Sequence, residues 1–265
     1  MSKIGFIGMG HIGTAIMNSL IETHKKEDLL FTCAHPERGV KINEKTGVRF
    51  VSSNQLCARE ADILILAVKP VVYDRVLEEI RPEIGGSKLV ISLAPGITIA
   101  EVSEKLGGFK RIVRAMPNTP AQIREGMTGI CYDDSRFTDG DREELAQLFL
   151  SFGRMKKLDE QLMDAVTVIS GSSPAFVYMF IDALSDAGVR YGMKKTDALE
   201  MAAQALLGSA KMVLETGEHP SLLKDAVCSP GGTTIEAVAA LEETGFRNVV
   251  LKGAEACYRR CRGEI

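Results

Sequence analysis

The chain has 265 residues, of which 45% are hydrophobic and 25% charged, and its formal net charge is −3. These values are ordinary for a globular protein with one large or two modest domains. A slightly acidic chain has no general attraction to nucleic acid or to an anionic membrane. We expect no apolar run approaching the roughly 20 residues of a membrane span and see no secretory signal pattern, so the sequence predicts a cytoplasmic protein.

The first predicted element is a short apolar strand that runs into a glycine-rich turn. Residues 3–16 read KIGFIGMGHIGTAI, in which Gly-x-Gly-x-x-Gly is followed by a helical pattern. In this dinucleotide-binding fingerprint, Gly8 makes the tight turn, Gly10 lets a pyrophosphate reach the backbone and Gly13 allows close helix–strand packing. The alternative is a glycine-rich turn in an α/β fold that binds no nucleotide.

The segment after the second predicted strand bears on which dinucleotide is bound. NAD-binding proteins commonly place an acid there, but residues 34–38 of this chain read AHPER. His35 and Arg38 are candidates to bind a 2′-phosphate, although Glu37 reduces the local positive charge. The alternative is that both are solvated loop residues. The sequence therefore favours NADPH as the cofactor, with NADH as the alternative.

Up to about residue 158, short β-type runs alternate with helical stretches, as in a parallel sheet with crossover helices. Further strands are predicted at 29–33, 48–51, 63–68, 89–92 and 111–115. Helical patterns alone follow from Asp159 onward. We therefore predict an α/β Rossmann-type domain over 1–158 and an all-α domain over 159–265. The apolar content of these later helices suggests contacts between subunits.

Three predicted strands end in loops that we place at one edge of the sheet, where ligands of such folds bind. The loops are Ala67-Val68-Lys69-Pro70, Ser92-Leu93-Ala94-Pro95-Gly96 and Ala115-Met116-Pro117-Asn118-Thr119-Pro120. Their prolines stiffen the backbone, which suits a cofactor pocket. Taken singly, each proline is equally explained as the end of an element.

A second glycine-rich turn lies near the end of the chain. Ser229-Pro230-Gly231-Gly232-Thr233-Thr234 precedes a helical pattern over 235–241. Glycines allow a close approach to the backbone, and the N–H groups and dipole of a helix start favour a carboxylate or a phosphate. The alternative is an ordinary Pro-Gly turn with a threonine helix cap.

The six cysteines form no regular framework, so we expect reduced thiols and no metal site. Cys257 and Cys261 lie four residues apart on a predicted helix, and there is no second pair at matching spacing. We therefore assign this pair to packing. Cys228 directly precedes the second glycine-rich turn and is a candidate accessible thiol, but no histidine base accompanies it.

Five motifs in chain order closely resemble those of the pyrroline-5-carboxylate reductase family, and the match spans essentially the whole chain. They are the glycine fingerprint, Ala67-Val68-Lys69-Pro70, Ala115-Met116-Pro117-Asn118-Thr119-Pro120, Ser170-Gly171-Ser172-Ser173-Pro174-Ala175-Phe176 and Ser229-Pro230-Gly231-Gly232-Thr233-Thr234-Ile235. The resemblance implies reduction of the cyclic imine 1-pyrroline-5-carboxylate to L-proline by NAD(P)H. It also implies a homodimer formed by the helical domain, with dimers assembled into a decamer.

The resemblance also implies roles for individual residues. The residues expected to bind the cofactor are Gly8, Met9, Gly10, His11, Ile12, Gly13, His35, Arg38, Asn54, Ala67, Val68, Lys69, Pro70, Gly96 and Asn118. The residues expected to bind the substrate are Ser229, Gly231, Gly232, Thr233, Thr234 and Lys69. Thr234 is the expected catalytic residue, because its hydroxyl would lie near the imine nitrogen. Lys69 is equally explained as a solvated lysine.

Three positions depart from the family pattern, namely Ala34, Pro95 and Ser173. Ala34 replaces a hydroxyl residue near the 2′-phosphate end, which bears on the choice of cofactor. Two other functions are kept as alternatives, a related imine or hydroxyacid reductase and a non-enzymatic nucleotide sensor. Hydroxyacid reductases generally have a catalytic lysine in a motif that Lys194 and Lys195 lack, and a sensor would not need the intact second glycine-rich turn.

Overall fold

The computed structural model describes residues 2–265, which form two compact units. Residues 2–172 together with 258–265 make the first unit, and residues 173–257 make the second. The last strand of the first unit ends at Lys157. The division at residue 158 therefore follows the end of the sheet, while the helical segment 159–172 still packs with the sheet unit.

An eight-stranded sheet organises the first unit. Its strands β1 to β8 are Ile4–Ile7, Leu29–Thr32, Arg49–Phe50, Ile63–Leu66, Leu89–Ser92, Ile112–Met116, Gly126–Cys131 and Gly153–Lys157. The order across the sheet is β3-β2-β1-β4-β5-β6-β7-β8. Strands β1 to β6 are parallel, β7 runs antiparallel to β6, and β8 is parallel to β7.

Helices cover both faces of this sheet. Helices α1 to α7 are His11–Ile21, Pro36–Thr46, Asn54–Glu60, Tyr73–Ile80, Ile99–Lys105, Asp139–Leu150 and Met163–Val166. Successive residues of a strand point to opposite faces. Accordingly Ile63 and Ile65 belong to one core cluster, and Leu64 and Leu66 to another. Strands buried on both faces read as continuous apolar runs, which is why β1 and β4 are clear in the sequence.

The sequence patterns did not predict β7 and β8. Strand β7 contains Gly126 and Gly129, and glycine lowers strand propensity. Here both glycines permit close packing, since a Cβ at Gly129 would lie 2.5 Å from Cγ1 of Val166. Strand β8 is an edge strand of largely exposed basic residues, so it lacks the apolar signal of the central strands.

The second unit is built from helices. Helices α8 to α12 are Ser173–Arg190, Lys195–Thr216, Pro220–Ala226, Thr233–Glu243 and Phe246–Cys261, and the last turn of α12 belongs to the first unit. Helices α8 and α9 pack closely at Gly188, where a Cβ would lie 2.8 Å from that of Ala198. The Nζ of Lys195 donates hydrogen bonds to Asp182, Ser185 and Asp186 at 2.6–2.9 Å.

Many large apolar side chains of the second unit are exposed in the single chain. Examples are Tyr178, Met179, Tyr191, Met201, Leu207, Met212, Leu214, Val249 and Leu251. An apolar surface of this extent is typical of a protein–protein interface. The structure thus agrees with the subunit contacts that the sequence suggests for these helices.

One sequence expectation needs correction. The continuous helical run Glu160–Arg190 has 31 residues and contains an 18-residue stretch with a mean hydropathy of 1.3, so by length and composition it could cross a membrane. The expectation that no apolar run reaches this length is therefore wrong by that criterion. Length and composition alone are weak evidence of a span, because a helix that packs against another protein surface meets the same test.

Candidate active site

The turn between β1 and α1 is shaped by its glycines. Gly8 has φ of +99°, and a Cβ there would lie 2.7 Å from the carbonyl oxygen of Ala67. A Cβ at Gly13 would lie 2.5 Å from the carbonyl oxygen of Gly8. Around Gly10, by contrast, no atom lies within 4 Å of an added Cβ. The structure therefore packs tightly behind the turn and leaves the Gly10 side open to a ligand.

The start of α1 has the features of an anion site. Gly10 is the N-cap residue, and no side chain caps the helix. The first N–H groups of a helix lack partners within it, and together with the helix dipole they favour a phosphate. The side chain of Met9 is buried in the core, so only its backbone can face a ligand, whereas His11 is exposed and Ile12 half-buried.

Arg38 and the start of α1 share one cavity of about 400 Å³. It is lined by Gly10, His11, Thr14, Ala15, Arg38, Thr119 and Gln122. His35 does not line this cavity; it is the exposed N-cap residue of α2. The sequence did not indicate Thr14 or Gln122, although Thr119 belongs to the 115–120 loop that it singled out.

The two predicted asparagines are held by other residues of the first unit. The Nδ2 of Asn54 donates to Oε2 of Glu79 at 2.6 Å. The Nδ2 of Asn118 donates to the carbonyl oxygen of Ser170 at 3.0 Å, and its Oδ1 accepts from the N–H of Met127 at 2.9 Å. Because both ends of the Asn118 amide are engaged, its geometry suits positioning of the loop better than a direct bond to a ligand.

The carboxyl ends of the central strands are aligned. Leu66 pairs with Ile7 on one side and with Ser92 on the other. The loops that contain Ala67–Pro70 and Gly96 therefore begin at the same edge as the α1 turn, as the sequence predicted. Ala67 and Val68 are half-buried, whereas Lys69, Pro70 and Gly96 are exposed. Gly96 has φ of +73°, which favours glycine.

The sequence did not single out Arg114 as a functional residue, although its charge is buried inside β6. Arg114 is 4% exposed, and its guanidinium lies 3.5 Å from carboxylate oxygens of Glu160 and Asp164. Its buried Nε has no hydrogen-bond partner among residues 2–265. The Oε1 of Glu160 also accepts from the N–H of Ile99 at 2.7 Å. These contacts tie the segment before the π-helical turn Thr167–Ser172 to the sheet.

The second glycine-rich turn lies in the second unit. Gly231 has φ of +66°, and the N–H of Gly232 donates to the carbonyl oxygen of Ser229 at 3.0 Å. Gly232 is the N-cap residue of α11 and receives no side-chain cap. A Cβ at Gly232 would clash with the Ser229 hydroxyl, whereas the space beside Gly231 is open.

The hydroxyls of this turn are accessible in the single chain. Ser229, Thr233 and Thr234 are exposed. In the part of the chain that the structure describes, the two threonine side chains make no recorded hydrogen bond. The turn thus offers N–H and O–H donors together at a positive helix end, which suits a carboxylate.

A largely parallel sheet of this order, with a glycine-framed helix start after β1, defines the class of dinucleotide-binding proteins. The family model for pyrroline-5-carboxylate reductase dimerisation matches residues 160–264, and the model described as NADP oxidoreductase, coenzyme F420-dependent, matches residues 3–96. The first match covers most of the predicted helical domain, and the second covers β1 to β5. The two family models thus support the dinucleotide-binding segment and the dimerising helices separately.

Full-length relatives identify the family. The chain is 43% identical to pyrroline-5-carboxylate reductase of Escherichia coli strain K12, covering 97% of this chain and 96% of the relative. It is 41% identical to the enzyme of that name from Methanosarcina acetivorans, covering 96% of each. A solved Plasmodium falciparum pyrroline carboxylate reductase with NADP bound superposes with a TM-score of 0.89 at 33% identity, covering 99% of this chain and 97% of that one. The chain therefore belongs to the pyrroline-5-carboxylate reductase family, as its motifs indicated.

Proposed function

We propose that this protein reduces 1-pyrroline-5-carboxylate to L-proline with NADPH. The observation that carries the proposal is the uncapped, glycine-framed start of α1 at the aligned carboxyl edge of β1, β4 and β5, in a chain of this family. NADPH, when bound, supplies a hydride to C5 of the imine, and a proton completes the amine. The protein's own contribution is to bind, orient and polarise the reactants.

The fingerprint turn fits a dinucleotide. The open space at Gly10 and the uncapped N–H groups of α1 suit a pyrophosphate. We assign this contact to Gly8, Met9, Gly10, His11, Ile12 and Gly13. Arg38, with His35 and Asn54, would bind the adenosine end, and the position of Arg38 in the cavity beside His11 supports NADPH over NADH. The nicotinamide would be flanked by Ala67, Val68, Pro70 and Gly96. Asn118 would position the neighbouring loop 115–120 at the same edge of the sheet.

The substrate carboxylate would bind at the start of α11. We assign it to the turn formed by Gly231, Gly232 and Thr233. The Ser229 carbonyl oxygen accepts from the N–H of Gly232 and so fixes the turn, and the N–H groups of Gly231 and Thr233 would face the carboxylate. The hydroxyl of Thr234 would donate a hydrogen bond to the imine nitrogen or relay a proton to it. Lys69 is exposed and makes no recorded ion pair among residues 2–265, so its ammonium would be available to attract the carboxylate.

The assembly that we propose is a homodimer formed by the helices of the second unit, with dimers joined into a decamer. The dimerisation model over 160–264 and the exposed apolar side chains support the dimer. We place the protein in the cytoplasm and expect neither nucleic acid nor a membrane as a partner, so the apolar run 160–190 would be covered by protein.

The environment of Lys195 argues against a hydroxyacid reductase, because its ammonium is engaged with Asp182 and Asp186 and is not available as a catalytic group.

The test is a direct assay of the purified protein. Oxidation of NADPH and of NADH would be followed with freshly prepared pyrroline-5-carboxylate, and the product would be identified by mass. We expect proline to form with both cofactors and faster with NADPH. Tight binding of NADPH without turnover would instead indicate a sensor, and turnover with a different imine alone would indicate a related reductase.

A further inference from the structure

A buried hydrogen bond joins the two loops that flank the proposed nicotinamide position. The phenol of Tyr73 donates to Oγ of Ser92 at 2.6 Å. Tyr73 is 0% and Ser92 1% exposed. Tyr73 is the first residue of α4, directly after the loop 67–72, and Ser92 is the last residue of β5, directly before the loop 93–98. The bond thus connects the roots of both loops.

The polar pair lies in an otherwise apolar environment. Tyr73 belongs to the core cluster that contains Leu66, Leu77 and Ala94. A phenylalanine of nearly the same shape would fill this space, and burying two hydroxyls costs solvation that only their mutual bond offsets. Burial raises the pKa of Tyr73 above its usual range, so the phenol stays protonated and able to donate. Packing alone therefore does not explain the tyrosine.

Apolar side chains of both loops, such as Val68, Leu93 and Ala94, pack against the core, but among the described residues the loops lack other polar side-chain anchors. Across the described part of the chain, no side-chain hydrogen bond is recorded for residues 67–72 or 93–97. Backbone bonds hold the loop roots, from the N–H of Ala67 to Ile7 at 2.8 Å and from the N–H of Leu93 to Leu66 at 3.1 Å. Beyond these roots Val71 is 87% exposed. The Tyr73–Ser92 bond is thus the side-chain hydrogen bond that links the roots of the two loops.

We propose that Tyr73 and Ser92 are a positioning pair that holds the nicotinamide-flanking loops at the spacing required for hydride transfer. This inference rests on the proposed function. Ala67 and Val68 pack behind the turn at Gly8, but neither Tyr73 nor Ser92 is among the nearest neighbours of Gly8 or Gly13, so the pair is expected to affect the reaction more than cofactor affinity. Small errors in the placement of reacting atoms are costly, since an error of about 1 Å lowers rates by as much as about a hundredfold.

The test uses the full-length protein with Tyr73→Phe, Ser92→Ala and the double variant. Each single variant is expected to lower kcat with pyrroline-5-carboxylate about tenfold while the Kd for NADPH changes less than about twofold. The double variant should match the singles, because either change removes the same bond. With NADPH deuterated at the transferred position, the isotope effect on kcat should rise in all three. Ser92→Thr, which keeps the hydroxyl, should restore turnover.

Tyr132→Phe is the matched control, because it removes a phenol of the first unit whose ring packs on Phe137 and which has no hydrogen bond to Tyr73 or Ser92. It should leave kcat unchanged. If the wild type turns over and the variants keep the same kcat, the positioning role is overturned while the proposed function stands. The same conclusion follows if the effects of the two single variants multiply in the double variant. Absence of turnover in the wild type would overturn the proposed function and this inference together.

Discussion

The start of α1 and the start of α11 share one backbone arrangement within different surroundings. Each turn contains a positive-φ glycine, at +99° for Gly8 and +66° for Gly231, and each helix has a glycine N-cap without a side-chain cap. The first turn is enclosed, because Ala67 and its neighbours lie directly behind Gly8 and Gly13. At the second turn, Gly231, Thr233 and Thr234 are exposed.

This difference indicates two ways of building an anion site. The α1 turn is supported by the sheet of its own unit, so its shape is fixed by packing and it can bind a ligand that many proteins share. The α11 turn carries hydroxyls beside its N–H groups, and under the proposed function these would add donors for a particular substrate. Chemistry specific to one substrate is therefore expected at α11, and general cofactor affinity at α1.

The largest effect is expected at α11. Thr234→Ala should lower kcat/KM for pyrroline-5-carboxylate about a hundredfold, comparable to the loss of one hydrogen-bond donor to a developing charge. The Kd for NADPH should stay unchanged, because the proposed cofactor site belongs to the other unit. Steady-state kinetics and fluorescence titration of NADPH would measure the two quantities. Thr234→Ser keeps the hydroxyl and should retain most activity; full turnover by Thr234→Ala would remove this residue from the mechanism.

The second prediction separates the roles of two glycines in the α1 turn. Gly10→Ala should weaken NADPH binding about 10- to 100-fold, because its Cβ would occupy the space open to the pyrophosphate and displace hydrogen bonds to a charged group. Its loss of stability should be small, that of a poorer N-cap residue. Gly13→Ala should instead destabilise the protein by about 1–3 kcal/mol, because its Cβ would crowd Gly8. Thermal unfolding with and without NADPH would distinguish them. Equal loss of stability in both variants would contradict the open space at Gly10.

The same contrast explains what could be predicted from the sequence. Strands β1 and β4 and the Gly8 turn carry local signals, an apolar run and a glycine spacing, and the structure confirms them. Strand β7 could not be predicted, because its glycines make sense only once Val166 lies against Gly129. Because β7 was not predicted, the antiparallel pairing of β7 with β6 was not predicted either.

For the candidate site, the motifs were visible and the supporting contacts were not. The sequence indicates the glycines by their spacing and Arg38 by its position after the second strand, and the structure brings Gly10 and Arg38 to one cavity. Arg114 and the Tyr73–Ser92 bond carry no sequence signal, since a charge in a strand and a tyrosine at a helix start are common. Their meaning depends on partners distant in sequence, such as Glu160, which only the folded chain supplies.

The third prediction concerns cofactor choice at the α1 cavity. Arg38→Ala should weaken NADPH binding about tenfold and leave NADH binding unchanged, through loss of a charge-assisted hydrogen bond to the 2′-phosphate. Lys41→Ala, an exposed change on the same helix α2, is the matched control. Titration of each variant with both cofactors would measure the ratio of their Kd values. An equal loss for NADPH and NADH would show that Arg38 does not read the 2′-phosphate.

The smallest expected effects are on the free energy of unfolding. An ion pair of the first unit loses its stabilising effect in acid, and an ion pair of the second unit loses its effect in alkali. In the first unit, Arg111 donates two hydrogen bonds to Asp141, which holds the pKa of that carboxyl well below its usual range. The stabilisation is complete above the ordinary aspartate pKa of about 3.9 and is lost as pH falls toward the lower folded-state value. Asp141→Asn should cost about 1–2 kcal/mol near neutral pH and much less in acid.

Lys195 provides the opposite case in the second unit. Hydrogen bonds from its ammonium to Asp186 and Asp182 raise its pKa. Because the folded-state pKa lies above the unfolded one, this contribution is present at lower pH and is lost as pH rises past about 10.4. Lys195→Met should therefore flatten the alkaline limb of the stability curve, and Asp141→Asn the acid limb. Denaturant titrations at a series of pH values would measure the free energy of unfolding of each variant. If both variants changed the stability at the same end of the pH range, the assignment of the two charge pairs to opposite pH dependences would be wrong.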